Sequence, residues 1–447
     1  RKAAAECIVL LRNEDGTLPL VGGQRLAVIG AMATEPRFQG GGSSHINPTR
    51  TDIALDELRT RAGEFGITVT DAQGYSTAEG ADSTALRDEA VAAAADVDIA
   101  VVFAGLTDKE ESEGFDRTHI DLPTEQVELI QAVAKAAPRT VVVLSNGGIV
   151  SVEGWHDEVD AIVEGFLLGQ GGGAAIADVL LGVVNPSGHL AESMPLRLED
   201  NPSWINFPGE QGTVRYGEGV MVGYRYYASA GIPVRYPFGH GLSYTTFETT
   251  ALQVEVTGPD TAITRVTVAN TGGHAGKHVV QVYVATEAGR VRRPVRELRA
   301  FTKVHLEPGE TRTVELELGR RAFAYWDVTR DRWVVTGGAY AVEVCDNAHD
   351  VVASAAIELA GDALVKPLSL ESSVSDWFTH PVVGPELHTR MAAAMTADQA
   401  AQASESADML KMVESMPMKQ FMGFLPGIVT SELLQELMEL SRTVPGD

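Results

Sequence analysis

Apolar positions in the first 246 residues fall into short β-branched runs that stop at turn residues. They are "RLAVIG" (25–30), "GITVT" (66–70), "DIAVVFAG" (98–105), "RTVVVLS" (139–145) and "DAIVEGF" (160–166). Between them lie stretches with helical spacing: "TDIALDELRTRAGEF" (51–65), "STALRDEAVAAAA" (83–95), "TEQVELIQAVAKAA" (124–137) and "GGGAAIADVLLG" (171–182). This rhythm predicts an α/β sandwich over 1–246, a mainly parallel sheet with helices on both faces. The opening "RKAAAECIVLLRNEDGTLPL" reads as a helix running into an extended apolar segment. Near residue 248 the period drops to two, in "TRVTVAN", "HVVQVYVA", "RTVELEL" and "AYAVEV". Turn-rich stretches separate these runs, so 247–360 reads as an antiparallel β-sandwich. From 361 to 447 the composition shifts again, with eight of the 11 methionines in this stretch. Here "TSELLQELMELS" (430–441) sets Leu433, Leu434, Leu437 and Met438 on one helical face, which predicts a short helical C-terminal element.

Composition narrows the function classes. A chain of 447 residues with 44% hydrophobic and 21% charged residues is ordinary for a soluble globular protein of two or three domains. The net charge of −26 argues against nucleic acid or an anionic membrane as a partner. No apolar run reaches the roughly 18 residues of a membrane span. Cys7 and Cys345 are too far apart in sequence to suggest a disulfide framework or a metal cluster. They fit a reducing compartment, so a cytoplasmic location is expected. Arg1 stands where a start methionine would, and no signal-peptide pattern follows, so the chain reads as either processed or a piece of a longer protein. The methionine-rich tail, an adaptable apolar surface, suggests a homo-oligomer contact or a docking face.

Several chemistries lack their signatures. The glycine runs "GGGSS" (40–44) and "GQGGG" (169–173) are neither G-x-G-x-x-G nor part of a G-K-[ST] loop. They read as tight turns or places of close backbone approach, not as a phosphate cradle. No G-x-S-x-G elbow occurs. The 11 histidines are scattered, so neither a metal nor another cofactor is expected. His240, in "YPFGHGLSY", is expected to be structural.

Carboxylates remain. "EESEGFDRTHIDLP" (110–123) crowds Glu110, Glu111, Glu113 and Asp116 directly after the apolar run 98–105. Loops after strands of a parallel sheet are where sites collect. Glycoside hydrolysis needs one carboxyl to protonate the leaving oxygen and a second to attack or to activate water. A plain solvated acidic loop is the competing reading of the same residues.

A resemblance decides between them. "GGGSSHINPT", "ESEGFDRTHIDLPTEQ", "GQGGGAAIADVLLGVVNPSGHL" and "YPFGHGLSYTTF" resemble the second domain of family 3 glycoside hydrolases, typified by β-glucosidases. "VANTGG", "GKHVVQVYV", "RRPVRELRAFTKV" and "LEPGET" resemble the fibronectin type III-like domain that follows it. The likeness spans residues 1 to about 358, with His189 in place of the usual basic residue of "NPSG-[KR]-L". It implies a retaining enzyme whose aspartate nucleophile sits on a (β/α)8 barrel outside this chain, with a small glycoside as substrate. The family's "E-G-[YF]" context implies that Glu113 is the acid/base, with Glu111 the runner-up. Glu110 and Glu111 are then flanking solvated charges, and Asp116 and Arg117 form a loop-ordering pair. Ser43 is expected to meet a sugar hydroxyl. "SDW" (375–377) mimics the family's nucleophile motif, but its helical surroundings mark Asp376 as a decoy. The rival reading is a non-catalytic sugar-binding or scaffold protein that keeps the fold.

Overall fold

The computed structural model describes residues 1–78, 80–289, 291–328, 330–362, 367–395 and 413–442. It forms two compact units, one of residues 1–323 with 339–359, the other of 324–338 with 360–447.

The first unit opens with a six-stranded sheet. Its strands are β1 (Val9–Asn13), β2 (Arg25–Ile29), β3 (Thr68–Ala72), β4 (Ile99–Gly105), β5 (Thr140–Ser145) and β6 (Ala161–Glu164), in the order β1-β6-β5-β4-β2-β3. The pairs from β3 to β6 are parallel, and β1 joins the edge antiparallel to β6. Every residue of β4 and β5 is buried, as expected for central strands covered on both faces. The helices are α1 (Lys2–Cys7), α2 (Ala54–Ala62), α3 (Thr84–Ala95), α4 (Thr124–Ala136) and α5 (Gly172–Leu180). Packing joins α2 to α5 and α5 to α1, while α3 packs on α4. Right-handed crossovers account for the division. The β2–α2–β3 step moves toward one edge, whereas β3–α3–β4 and β4–α4–β5 move toward the other, so their helices fall on opposite faces.

That reversal leaves a crevice between the carboxyl ends of β2 and β4, the switch point where open α/β sheets place ligands. The acidic loop leaves β4 there, and the "GGGSS" loop leaves β2 beside it.

The same unit continues into a β-sandwich. One sheet is β11-β8-β7 (Thr311–Leu318, Thr261–Asn270, Phe247–Gly258) and the other β10-β9-β12-β13 (Glu297–Leu306, Gly276–Ala285, Gly338–Cys345, Val351–Leu359). Along β8 every second residue is buried, which is the period-two signal of its sequence. His240 is structural: its Nε2 lies 2.9 Å from the Leu11 carbonyl and its ring stacks on Tyr236 at 4.8 Å. Burial lowers the His189 imidazole to about 4, so it is neutral where the related pattern has a basic residue.

The second unit joins a two-stranded ribbon, Tyr325–Asp327 with Arg332–Val334, to the tail helices. Among the latter, Val374–Thr379, Val383–Ala394 and Ser431–Ser441 bury Trp377, Leu387, Leu434 and Leu437 in one core. Met391 and Met418 are buried in that core, and Met395, Met416, Met422 and Met438 pack against it. Six of the tail's eight methionines thus contribute to the tail's own core. Met409 and Met412 lie outside the described residues.

Candidate functional site at the sheet's switch point

Three loops at the carboxyl ends of β2, β4 and β5 interlock here. Arg37, on the β2 loop, is nearly buried and pairs with Asp108 on the β4 loop, and its Nη2 donates to the Glu111 carbonyl at 2.9 Å. His45 reaches the other oxygen of Asp108 at 3.0 Å. On the opposite flank Arg117 donates to the Ile149 carbonyl at 2.9 Å and approaches Glu111 at 4.0 Å. The loop-ordering cation thus works on the β5 loop and Glu111 rather than on Asp116. The Ser151 amide donates to the Ile120 carbonyl at 2.6 Å, tying the two loops again further along.

The three glutamates of the acidic loop do three different jobs. Glu110 folds back to accept from the Thr107 amide and hydroxyl at 2.7 and 3.0 Å, capping the start of its own loop. Glu111 accepts from the Gly147 and Gly148 amides, one on each oxygen, both at 2.5 Å. Its side chain is only 19% exposed, so the expectation of a flanking solvated charge is corrected: backbone donors on the β5 loop hold it inward. Glu113 is exposed, and its Oε2 accepts from the Ser43 amide at 2.8 Å and from the Ser43 hydroxyl. These bonds, the hydroxyl's first, hold the Glu113 carboxyl below its ordinary range, since both favour the anion.

Glycine makes these contacts feasible. Gly42 sits at φ +78°, and a Cβ there would fall 2.7 Å from the Glu113 Cβ. A Cβ on Gly147 would fall 2.9 Å from a Glu111 oxygen. The glycine run therefore allows close approach, but to a carboxylate side chain rather than to a ligand phosphate. Ser44 bonds only its own loop, donating to the Gly41 carbonyl at 3.1 Å.

Beneath the turn lies a residue that the sequence does not single out. Glu164, the last residue of β6, is 1% exposed. Its Oε1 accepts from the Phe166 amide at 2.7 Å and its Oε2 from Asn146 Nδ2 at 3.2 Å. Burial raises its carboxyl to about 7. A charged residue closing an otherwise apolar strand was the available signal.

Asp376 belongs to a different setting. Its carboxylate accepts from the Ser373 amide while its own amide donates to the Ser373 hydroxyl, both at 3.1 Å, a capping box at the start of Val374–Thr379. Among the described residues no cluster of His, Cys, Asp or Glu could hold a metal ion, and no helix is long and apolar enough to cross a membrane.

Known proteins share this architecture. The glycosyl hydrolase family 3 C-terminal domain matches residues 8–244, and the fibronectin type III-like domain matches 278–348. An exo-α-(1→6)-L-arabinopyranosidase of Bifidobacterium breve is 44% identical over 93% of the chain and 56% of its own length. Thermostable β-glucosidase B of Acetivibrio thermocellus is 42% identical over 98% of the chain and 58% of its own length. The crystal structure of a Bifidobacterium adolescentis family 3 β-glucosidase superimposes with a TM-score of 0.82 at 45% identity, covering 87% of this chain and 56% of that one. The chain thus spans a little over half the length of the relatives it matches. With the family 3 domain matching more than half of its residues, the chain belongs to glycoside hydrolase family 3, as its C-terminal α/β domain followed by a fibronectin type III-like domain.

Proposed function

We propose that this chain is the acid/base-bearing portion of a retaining β-glycosidase that releases terminal non-reducing β-D-glucosyl residues. Glu113 protonates the departing glycosidic oxygen and then takes a proton from the incoming water. An aspartate on a (β/α)8 barrel outside these residues attacks the anomeric carbon. The observation behind this reading is the contrast within one loop. Both oxygens of Glu111 are committed to backbone amides, whereas Glu113 is exposed at the switch point and bound only by Ser43. Glu111 is turned to the β5 loop and keeps little open surface from which to reach a leaving oxygen.

Glu113 faces an obstacle of its own, because Ser43 favours its anion. A general acid must hold its proton near neutral pH. In this reading the opposing shift comes from the nucleophile's negative charge about 5–5.5 Å away and from exclusion of water by the sugar. Ser43 then acts first on Glu113, keeping its side chain in place, and meets the sugar only as a neighbour.

The exo-α-(1→6)-L-arabinopyranosidase relatives favour a second substrate reading, an α-L-arabinopyranoside in the same subsite. Residues 1–447 alone should not hydrolyse an aryl β-D-glucoside, because nothing on the acid's own loop can reach the opposite face of the sugar. Joined to a family 3 barrel, the protein should hydrolyse it, and a parallel assay with the aryl α-L-arabinopyranoside ranks the two sugars. Appreciable turnover by the 447-residue chain alone would sink the two-part reading.

A further inference from the structure

We propose that Glu164 is a positioning residue for the acid/base loop, acting through Asn146 and the Gly147–Gly148 turn on Glu111, and so on the placement of Glu113. The catalytic consequence rests on the acid/base reading given above; the mechanical coupling does not.

The path is continuous through hydrogen bonds. Glu164 Oε2 accepts from Asn146 Nδ2, and the same Nδ2 donates to the Gly148 carbonyl at 2.9 Å. Asn146 is fully buried, with an Oδ1 that has no hydrogen-bond partner, so its amide has few other ways to turn. Its two bonds set the pitch of a turn whose next two amides each hold one oxygen of Glu111. Glu113 follows two residues later. The other oxygen of Glu164 fixes Phe166, which sits at φ +51°, a left-handed conformation unusual for an aromatic residue. Glu164 therefore defines both the exit of β6 and the floor under the β5 turn.

The charge state of Glu164 decides how well this brace works. Glu111 faces it across the turn, and Glu192 faces it from the segment before Met194; both are carboxylates whose charge opposes ionisation of Glu164. Arg117 lies near Glu111 and Glu192 and partly offsets them. Neutral Glu164 is compatible with an anionic Glu111 on the glycine amides. Ionised Glu164 sets two like charges on one small turn, and Glu111, the less buried of the two, is the one free to move with its loop. The acid/base loop should therefore loosen as pH rises through neutrality.

Hydrogen exchange on the 447-residue chain reads the coupling without any catalysis. Protection of the amides of residues 106–117 is followed from about pH 5.5 to about pH 8.5, with the intrinsic chemical rate divided out. In the native chain, protection should fall about fivefold or more across the midpoint near 7. Glu164→Gln keeps the shape and an acceptor for the Phe166 amide and cannot ionise, so protection should not change with pH; its amide nitrogen meets the Asn146 donor, so the level should lie below that of the native chain at about pH 5.5. Glu164→Leu removes both acceptors and should lower protection at every pH, with circular dichroism showing that the fold is retained. In the barrel-bearing protein, Glu164→Gln should move the alkaline limb of the kcat profile upward and leave KM unchanged. The proposal is overturned if Glu164→Gln follows the native curve at all pH values, or if a folded Glu164→Leu protein keeps native protection. A barrel-bearing protein with no glycosidase activity would overturn the acid/base reading, and the exchange data would still decide the coupling.

Discussion

The loop at 106–117 and the helix start at 373–376 both present an acidic residue in a motif resembling a catalytic one. They differ in where the carboxylate's hydrogen bonds go. Asp376 closes a reciprocal cap with Ser373, three residues away, so those two bonds lie within its own helix turn. Glu111 and Glu113 take their donors from loops far off in sequence, the β5 turn and the β2 loop. A carboxylate satisfied locally stabilises its own element. One satisfied by long-range backbone donors at a sheet's switch point is held at a chosen place for something else to meet. The comparison can be broken or sharpened by removing each carboxylate in turn.

The largest effect should follow loss of Glu113. In the barrel-bearing protein, Glu113→Ala should cost about 10²–10⁴-fold in turnover of alkyl glucosides, the usual weight of a positioned proton donor. The first step with nitrophenyl glucosides should suffer less, since that leaving group needs little protonation. Added azide should restore turnover as a glycosyl azide of retained configuration, because a small anion can replace activated water. If Glu111→Ala shows this rescue and Glu113→Ala does not, the roles assigned to the two residues are reversed.

Loss of Glu111 itself should cost less and respond differently. Glu111→Ala frees the Gly147 and Gly148 amides and unties the loop, so kcat should fall about 10–100-fold through misplacement of Glu113. Azide should not rescue it. Full activity in Glu111→Ala would mean that the glycine turn plays no part in holding the acid.

Much of the scaffold for this contrast was legible in the sequence, because it depends on local period. The five strand runs from "RLAVIG" to "DAIVEGF" fall on β2–β6, and the four helical stretches on α2–α5. The period-two runs fall on β8, β9, β11 and β12. Juxtapositions between distant segments were much less legible. Arg37 with Asp108, Glu111 with the Gly147–Gly148 turn, and Glu164 beneath that turn join segments 18 to 71 positions apart, and no periodicity encodes such a meeting. The ribbon 324–338 shows the same limit: it lies within the stretch that reads as sandwich, yet it packs with the tail. Glu113 and Ser43 were recognisable only through motif resemblance, and their contact, which makes Ser43 a partner of Glu113, needed coordinates.

A smaller effect should appear in stability as a function of pH. The Glu164 carboxyl titrates at about 7 in the folded chain, against an ordinary value of 4.5. The folded state thus holds a proton that the unfolded chain has already released, so stability falls as pH rises between those values and the loss is complete above 7. Glu164→Gln removes that dependence. Relative to the native chain it should gain about 1–3 kcal/mol between pH 5 and pH 8. Denaturant unfolding at both pH values checks the sign. An equal shift at the two would mean that Glu164 is not the titrating group.

The smallest effect on catalysis belongs to Asp376, and it completes the contrast with the acidic loop. Asp376→Ala removes the acceptor for the Ser373 amide but leaves the Ser373 hydroxyl free to accept from the backbone at 376. Only one arm of the capping box is lost. Replacing a capping residue costs about 0.5–2 kcal/mol, and keeping the other arm places this variant toward the low end. The loss should appear in unfolding of the tail core around Trp377, where indole fluorescence offers a local probe beside a global one. Turnover in the barrel-bearing protein should stay within a few fold of native. Asp376→Asn should retain part of the cap, since an amide oxygen can still accept from the Ser373 amide, so its stability should lie between those of native and alanine. A catalytic nucleophile would behave otherwise: alanine and asparagine would both abolish turnover while differing little in stability. A loss of about 10³-fold or more in either variant would therefore make Asp376 a reacting group and collapse the distinction between locally satisfied and site-forming carboxylates.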